Sequence, residues 1–208
     1  MTKKTLLLLR TSLFSTEGQS SRLAAEFAER WLAQNPGAVV ISRDLARDPI
    51  PHLDAARFEA FVAKPGERTT EQQAFVHESD ALIDELRRAD VVVIGLPMYN
   101  FSVPSTLKAY FDHIARAGVT FRYTEKGAQG LLRGKKAYVF ATRGGRYAPQ
   151  AEHQSAFVRQ FLGFVGLDDV EFVYAEGLAL GEPSRSAALS TATSAIDRLA
   201  ASHLPLAA

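Results

Sequence analysis

The stretch Val91-Val92-Val93-Ile94-Gly95-Leu96-Pro97-Met98-Tyr99-Asn100-Phe101-Ser102-Val103-Pro104 carries the decision about the fold. Residues 91–95 are apolar or small on successive positions, with no polar alternation, which is the pattern of a strand buried on both faces. Two prolines then bracket an aromatic–Asn–aromatic loop. Pro104 suits the first turn of a helix, where its missing N–H costs nothing. Leu107, Tyr110, Phe111 and Ile114 continue from it at helical spacing.

The same unit recurs on either side. Runs at 6–9, 39–41 and 137–141, and a weaker one at 170–174, have the same unalternating character. Between them, residues 20–31 place Leu23, Ala24, Phe27, Ala28 and Trp31 on one helical face, and residues 71–88 do so with Phe75, Leu82, Ile83 and Leu86. Segments 156–164 and 184–201 supply two more helices. Strands alternating with helices imply repeated βαβ units and a doubly wound parallel sheet of five strands. Two segments exceed that rhythm. Residues 46–68 are rich in Pro, Asp and Arg and predict a loop with one short helix. Residues 118–134 contain the alternating Thr120-Phe121-Arg122-Tyr123-Thr124 and then a glycine-rich stretch, which predicts a hairpin.

The 208 residues suffice for one domain spanning 1–208, with the surplus over a bare five-stranded sheet falling in those two segments. The absence of cysteine excludes disulfides, thiolate metal sites, iron–sulfur clusters and thiol catalysis. With 24 basic and 23 acidic residues, net charge +1, nothing favours a nucleic-acid partner. Met1-Thr2-Lys3-Lys4 precedes a run of five residues, Thr5 to Leu9, that Arg10 closes, too short for a signal peptide; no segment has enough apolar residues in a row to span a membrane, and the cytoplasm is the expected compartment.

In open α/β sheets ligands bind beyond the carboxyl ends of the strands, so the loops there come first. After the first strand lies Thr11-Ser12-Leu13-Phe14-Ser15-Thr16-Glu17-Gly18-Gln19-Ser20-Ser21, hydroxyl-rich and leading into a helix that Ser20 or Ser21 can cap. This suits a phosphate, against the plainer reading of a simple cap. It holds no Walker pattern, and the chain has neither a G-x-G-x-x-G nor a G-x-S-x-G motif. After the third strand comes the 97–104 loop, whose Tyr99 and Phe101 either face a planar ligand or fill the core. After the fourth comes Thr142-Arg143-Gly144-Gly145-Arg146-Tyr147, whose paired glycines admit close backbone approach or simply make a turn. The histidines, His52, His77, His113, His153 and His203, have no metal-ligand spacing, and His77-Glu78-x-Asp80 fits a solvated helix face. No metal ligand and no catalytic acid, base or nucleophile is identified, so the chemistry falls to a cofactor.

Pro97-Met98-Tyr99-Asn100-Phe101, Leu107-Lys108-x-Tyr110-Phe111-Asp112 and Arg116-Ala117-Gly118-Val119-Thr120-Phe121-Arg122-Tyr123 together resemble the FMN-dependent NADH-azoreductase / NADH:quinone oxidoreductase family. Arg143-Gly144-Gly145, Phe161-Leu162-Gly163-Phe164 and Ala175-Glu176-Gly177 extend the resemblance over nearly the whole chain. It implies a flavodoxin-like fold, sheet order 2-1-3-4-5, and a homodimer with bound FMN. It implies that Ser12 and Gly18-Gln19-Ser20 hold the phosphate, and that Pro97-Met98-Tyr99-Asn100-Phe101 and Thr142-Arg143-Gly144-Gly145 flank the ring system. Gly18 departs from relatives that place a serine there, with Ser15 or Thr16 as nearby substitutes. Phe121 and Tyr123 would line the acceptor side from the partner subunit, or make an apolar dimer contact only. The implied reaction passes two electrons at a time from NADH or NADPH through FMN to a quinone or azo compound. A flavodoxin-type electron carrier and an NAD(P)H:FMN reductase are the alternatives. The first usually has an acidic face, which the net charge disfavours.

Overall fold

The computed structural model of the protein describes residues 3–148 and 151–201; Met1, Thr2 and His203 lie outside them. Five parallel strands form the main sheet: β1 (Thr5–Arg10), β2 (Val39–Asp44), β3 (Val91–Pro97), β6 (Lys136–Thr142) and β7 (Asp169–Ala175), in the order β2-β1-β3-β6-β7. Counted within the sheet this is 2-1-3-4-5, the expected order. A separate antiparallel pair, β4 (Phe121–Thr124) and β5 (Gly127–Gly130), forms the expected hairpin.

Helices cover both faces. Alternate side chains of each central strand serve opposite layers, as a period of two requires. Leu6 and Leu8, Val91 and Val93, Tyr138 and Phe140 pack under α1 (Gln19–Gln34) and α6 (Glu182–Ala201). Leu7 and Leu9, Val92 and Ile94, Val139 and Ala141 pack under α3 (Thr70–Arg88), α4 (Ser105–Ile114) and α5 (Gln154–Val165). Unbroken apolar runs are therefore needed only where helices lie on both faces. The edge strands differ: β2 is half exposed along its length and β7 buries only three of seven residues, because each has one neighbouring strand.

Two local expectations are corrected. Pro104 does not enter the helix; it is the N-cap of α4, with φ −54° and ψ 140°, and its carbonyl accepts the first helical hydrogen bonds from Leu107 and Lys108. The ring fixes φ but leaves ψ extended, so the helix starts one residue later. Nor does Ser20 or Ser21 cap α1. Gly18 is the N-cap, without a side-chain bond, so both serines fall inside the first turn.

The 46–68 segment contains α2 (Ala55–Val62) and one short 3-10 turn, Pro65–Glu67. Asp54 caps α2 through the Arg57 amide. The segment is pinned to the body by Arg57 over the Phe75 ring, an Arg57–Glu78 ion pair at 2.6 Å, and Arg116 over the Phe61 ring. The β4–β5 hairpin sits at the amino ends of the strands. Arg87, at the end of α3, donates to the Val119 carbonyl, and Leu132 donates to the carbonyl of Val165, the last residue of α5. A Cβ on Gly130 would stand 2.2 Å from the Gly166 nitrogen, so only glycine lets these backbones meet.

Candidate functional site

Three loops converge beyond the carboxyl ends of β1, β3 and β6. The first runs from Thr11 to Gly18. The Thr11 hydroxyl donates to the Gly95 carbonyl at 2.7 Å, tying the loop to β3. The first turn of α1 lies so close to β3 that a Cβ on Gly95 would be 2.7 Å from the Ser20 carbonyl oxygen. Gly18 is equally confined: a Cβ there would meet the Ser12 Oγ at 2.1 Å and the Ser12 Cβ at 2.5 Å. The glycine that departs from the family pattern is thus the residue this loop geometry demands.

The first N–H groups of α1, on Gln19, Ser20 and Ser21, precede the first helical bond, from Arg22 to the Gly18 carbonyl. The hydroxyls of Ser20 and Ser21 are buried and have no protein partner. An uncapped helix N-terminus beside two orphaned buried hydroxyls fits a phosphate, whose oxygens accept from both. A phosphate's charge there would be met by dipoles, since no Lys or Arg lies between Thr11 and Ser21. Arg22, just beyond, pairs with Glu17. Ser15 gives its hydroxyl to Asp44 and Thr16 is exposed, so Ser15 is not free to replace a serine at position 18.

The second loop is the Pro97–Phe101 string. Tyr99 and Ser102 exchange backbone hydrogen bonds at 3.1 and 3.0 Å across a two-residue turn. Asn100 and Phe101 between them both take positive φ, 49° and 65°. A tight reversal with φ > 0 at both central residues normally takes glycine or asparagine. A phenylalanine there is strained, and Phe101 is also 68% exposed, with Tyr147 at its edge. The Tyr99 hydroxyl reaches back to the first loop: it pairs with the Ser12 Oγ and accepts from the Leu13 amide, each at 3.2 Å. Met98 donates to the Thr142 carbonyl, joining this loop to the third.

In the third loop the backbone and the side chain of Arg143 part ways. Gly144 is exposed and Gly145 half-buried, available to a ligand. The Arg143 guanidinium is buried in the protein, paired with Glu152 at 3.0 Å and Glu176 at 2.9 Å and lying over the Tyr174 ring. Its backbone is engaged as well, the N–H donating to the Ala175 carbonyl at 3.0 Å, so Arg143 holds the loop in shape and leaves Gly144 and Gly145 as its open part. The carbonyls of Arg143, Gly144 and Gly145 accept from Leu178, Ala179 and Gly177. Glu152, just before α5, and Ser155 in its first turn gave no signal in the sequence, because their role depends on a contact between distant segments.

Phe121 and Tyr123 are not brought to these loops. Phe121 is buried under Phe164, with ring centroids 4.2 Å apart, while Tyr123 is 76% exposed. Both lie at the amino ends of the strands, opposite the three loops. Hollows of about 650 and 610 Å³ lie at that end too, around the hairpin and the starts of β3 and β6. A smaller one, about 350 Å³, adjoins the site and is lined by His52, Ser102, Val103, Ser105, Lys108 and Phe157. His52 brings the 46–68 segment to the rim of the second loop. His77 is exposed, while Glu78 and Asp80 are engaged by Arg57 and Arg116; among the described residues there is no metal-binding cluster.

A family model described as flavodoxin-like fold matches residues 3–200. An FMN-dependent NADH:quinone oxidoreductase of Cellvibrio japonicus is 54% identical over 183 residues, 88% of this chain and 92% of that one. One from Burkholderia pseudomallei is 53% identical over 193 residues, 92% of this chain and 98% of its own. Among solved structures, an FMN-dependent NADH-azoreductase from Bacillus anthracis in complex with FMN superimposes with a TM-score of 0.86 at 27% identity, covering 98% of this chain and all of that one. The chain belongs to the flavodoxin-like family of FMN-dependent NADH:quinone oxidoreductases and azoreductases.

Proposed function

We propose that this protein is an FMN-dependent NADH:quinone oxidoreductase with azoreductase activity, acting as a cytoplasmic homodimer of single-domain subunits. The observation that carries the reading is the uncapped first turn of α1, with the buried, unpartnered hydroxyls of Ser20 and Ser21 beside its free N–H groups. The names of the relatives at 53–54% identity support it, as does the FMN-bound neighbour. Bound FMN would supply reversible two-electron chemistry, so the protein needs no acid, base or nucleophile of its own.

The residues have separable tasks. Ser12, Gly18, Gln19 and Ser20 would hold the phosphate. Pro97 to Phe101 and Thr142 to Gly145 would flank the ring; the N–H groups of Met98, Tyr99 and Arg143 are spent on holding the loops, which leaves those of Asn100, Phe101, Gly144 and Gly145 to stabilise negative charge. The Tyr99 hydroxyl locks the phosphate loop to the ring loop, fixing their separation. Phe101, exposed at the mouth, would offer a face to a flat donor or acceptor. NADH, the donor in the relatives' names, and then a quinone or azo compound would occupy the same place in turn. At the far end of the sheet from their own site, exposed Tyr123 would complete a partner's, with buried Phe121 supporting it from beneath at 5.5 Å between ring centroids.

The test is spectroscopic. Purified protein with FMN should show flavin bands near one per chain that NADH bleaches and benzoquinone restores. NADH oxidation no faster with benzoquinone than without it would reject the reading.

A further inference from the structure

We propose that Gln154, the first residue of α5, is the positioning residue that holds the strained 97–102 loop in its ligand-ready shape. The proposal rests on the flavin reading above for what the loop receives, but not for how the loop is held. Gln154 is 1% exposed. Its Nε2 donates to the Pro97 carbonyl and to the Ser102 carbonyl, both at 2.9 Å. Those two carbonyls open and close the loop. The amide can stand only this way round, because the flipped rotamer would set Oε1 against two carbonyl oxygens.

The loop needs such a clamp. Asn100 and Phe101 both sit at positive φ, a conformation that persists only where the surroundings over-determine it. The turn's own restraint is the pair of bonds between Tyr99 and Ser102, and the Ser102 carbonyl is shared between the Tyr99 amide and Gln154. Nε2 therefore fixes both ends of a six-residue arch whose centre, Met98 to Phe101, is the part that faces a ligand. The start of α5 and the residue two before it secure the third loop as well. Ser155 accepts from Arg143 at 2.8 Å, and Glu152 accepts from both Arg143 and the Ser155 amide. One turn of α5 thus sets the spacing of two loops that are about 45 residues apart in sequence.

Two substitutions test this. Gln154→Met keeps length and volume but removes the donor. Without flavin, amide exchange at Tyr99 and Ser102 should then be roughly tenfold faster than in the parent, and FMN should dissociate roughly tenfold more readily, with an altered flavin absorption envelope. Gln154→Glu can donate one bond only when its carboxyl is protonated, so its FMN affinity, taken as a ratio to the parent's at each pH, should rise as pH falls from ~8 to ~6, the ratio cancelling the titration of the FMN phosphate itself. This second measurement decides the matter if the methionine variant does not fold. Parent-like exchange and parent-like FMN affinity in Gln154→Met, or a flat pH profile of that ratio in Gln154→Glu, would overturn the proposal. If the parent itself takes up no FMN but the exchange difference appears, the flavin reading falls and the clamp stands.

Discussion

At the scale of single residues, the site is governed by what a Cβ can and cannot do. Gly18→Ala would push a methyl against both Oγ and Cβ of Ser12, and rotating the hydroxyl relieves only the first contact. Overpacking of this kind costs about 1–3 kcal/mol. We expect FMN affinity to fall at least about tenfold, measured by flavin fluorescence titration. Phe101 presents the opposite case. A bulky residue at φ 65° is strained, and its side chain is largely exposed, so little packing offsets that strain. Phe101→Gly should stabilise the protein by about 1 kcal/mol in a denaturant melt while lowering quinone turnover. Stability and activity moving in opposite directions would mark the phenylalanine as functional. His113 gives a pH signature. Its imidazole is fully buried beside Phe61, and burial first, then the Arg57 charge, lowers its pKa against weaker pulls from the Pro51 carbonyl, Glu78 and Asp112. The unfolded chain therefore takes up a proton near pH ~6.5 that the native chain refuses. Stability should fall as pH drops below ~6.5, at up to about 1.4 kcal/mol per pH unit, and be level with respect to this group above it. His113→Asn should flatten that slope in melts between pH ~5 and ~7.

At the scale of elements, the first turn of α5 joins loops that would otherwise be independent. Arg143 is 3% exposed and depends on Glu152 and Glu176 to balance its charge. Removing one partner of a buried pair costs about 3–5 kcal/mol, reduced here because Glu176 remains. Glu152→Ala should therefore lose about 2–3 kcal/mol of stability and also loosen the Gly144–Gly145 backbone, detectable as faster amide exchange in 143–145. The sequence pattern showed α5 as a helix but could not show this. Apolar periodicity reports which face of a helix is buried, whereas Glu152, Gln154 and Ser155 act through polar contacts at its end. The first turn of α1 is the complementary case. A cap by Ser20 or Ser21 was the natural reading of a serine pair before an apolar helix. The structure starts the helix at Gln19, because Gly18 takes the extended cap conformation, and the serines are left with free hydroxyls.

For the whole molecule, the parallel sheet puts its loops and its hairpin at opposite ends. Phe121 and Tyr123 can serve a site only if two chains pack so that one chain's hairpin meets the other's loops. Sedimentation should then give about twice the 22.7 kDa chain mass. Mixing Gly18→Ala subunits with Tyr123→Ala subunits, after exchange, should restore about a quarter of parental activity, because half of the dimers are mixed and each of those has one intact site. Mixtures no better than the average of their parents would exclude a shared site.

Legible in the sequence were the sheet, its strand order through family resemblance, the hairpin, and the three loops of the candidate site. Apart from the strand order, each rests on information local in the chain: unbroken apolar runs, helical spacing, and glycines or prolines at strand ends. The tertiary structure alone decided which groups in those loops are free. It turned the Arg143 side chain inward, left the Ser20 and Ser21 hydroxyls without partners, required glycine at 18, and set Gln154 beneath Pro97 and Ser102. These are pairings between segments far apart in sequence, fixed by where the core sets β3, β6 and α5. No window along the chain contains them.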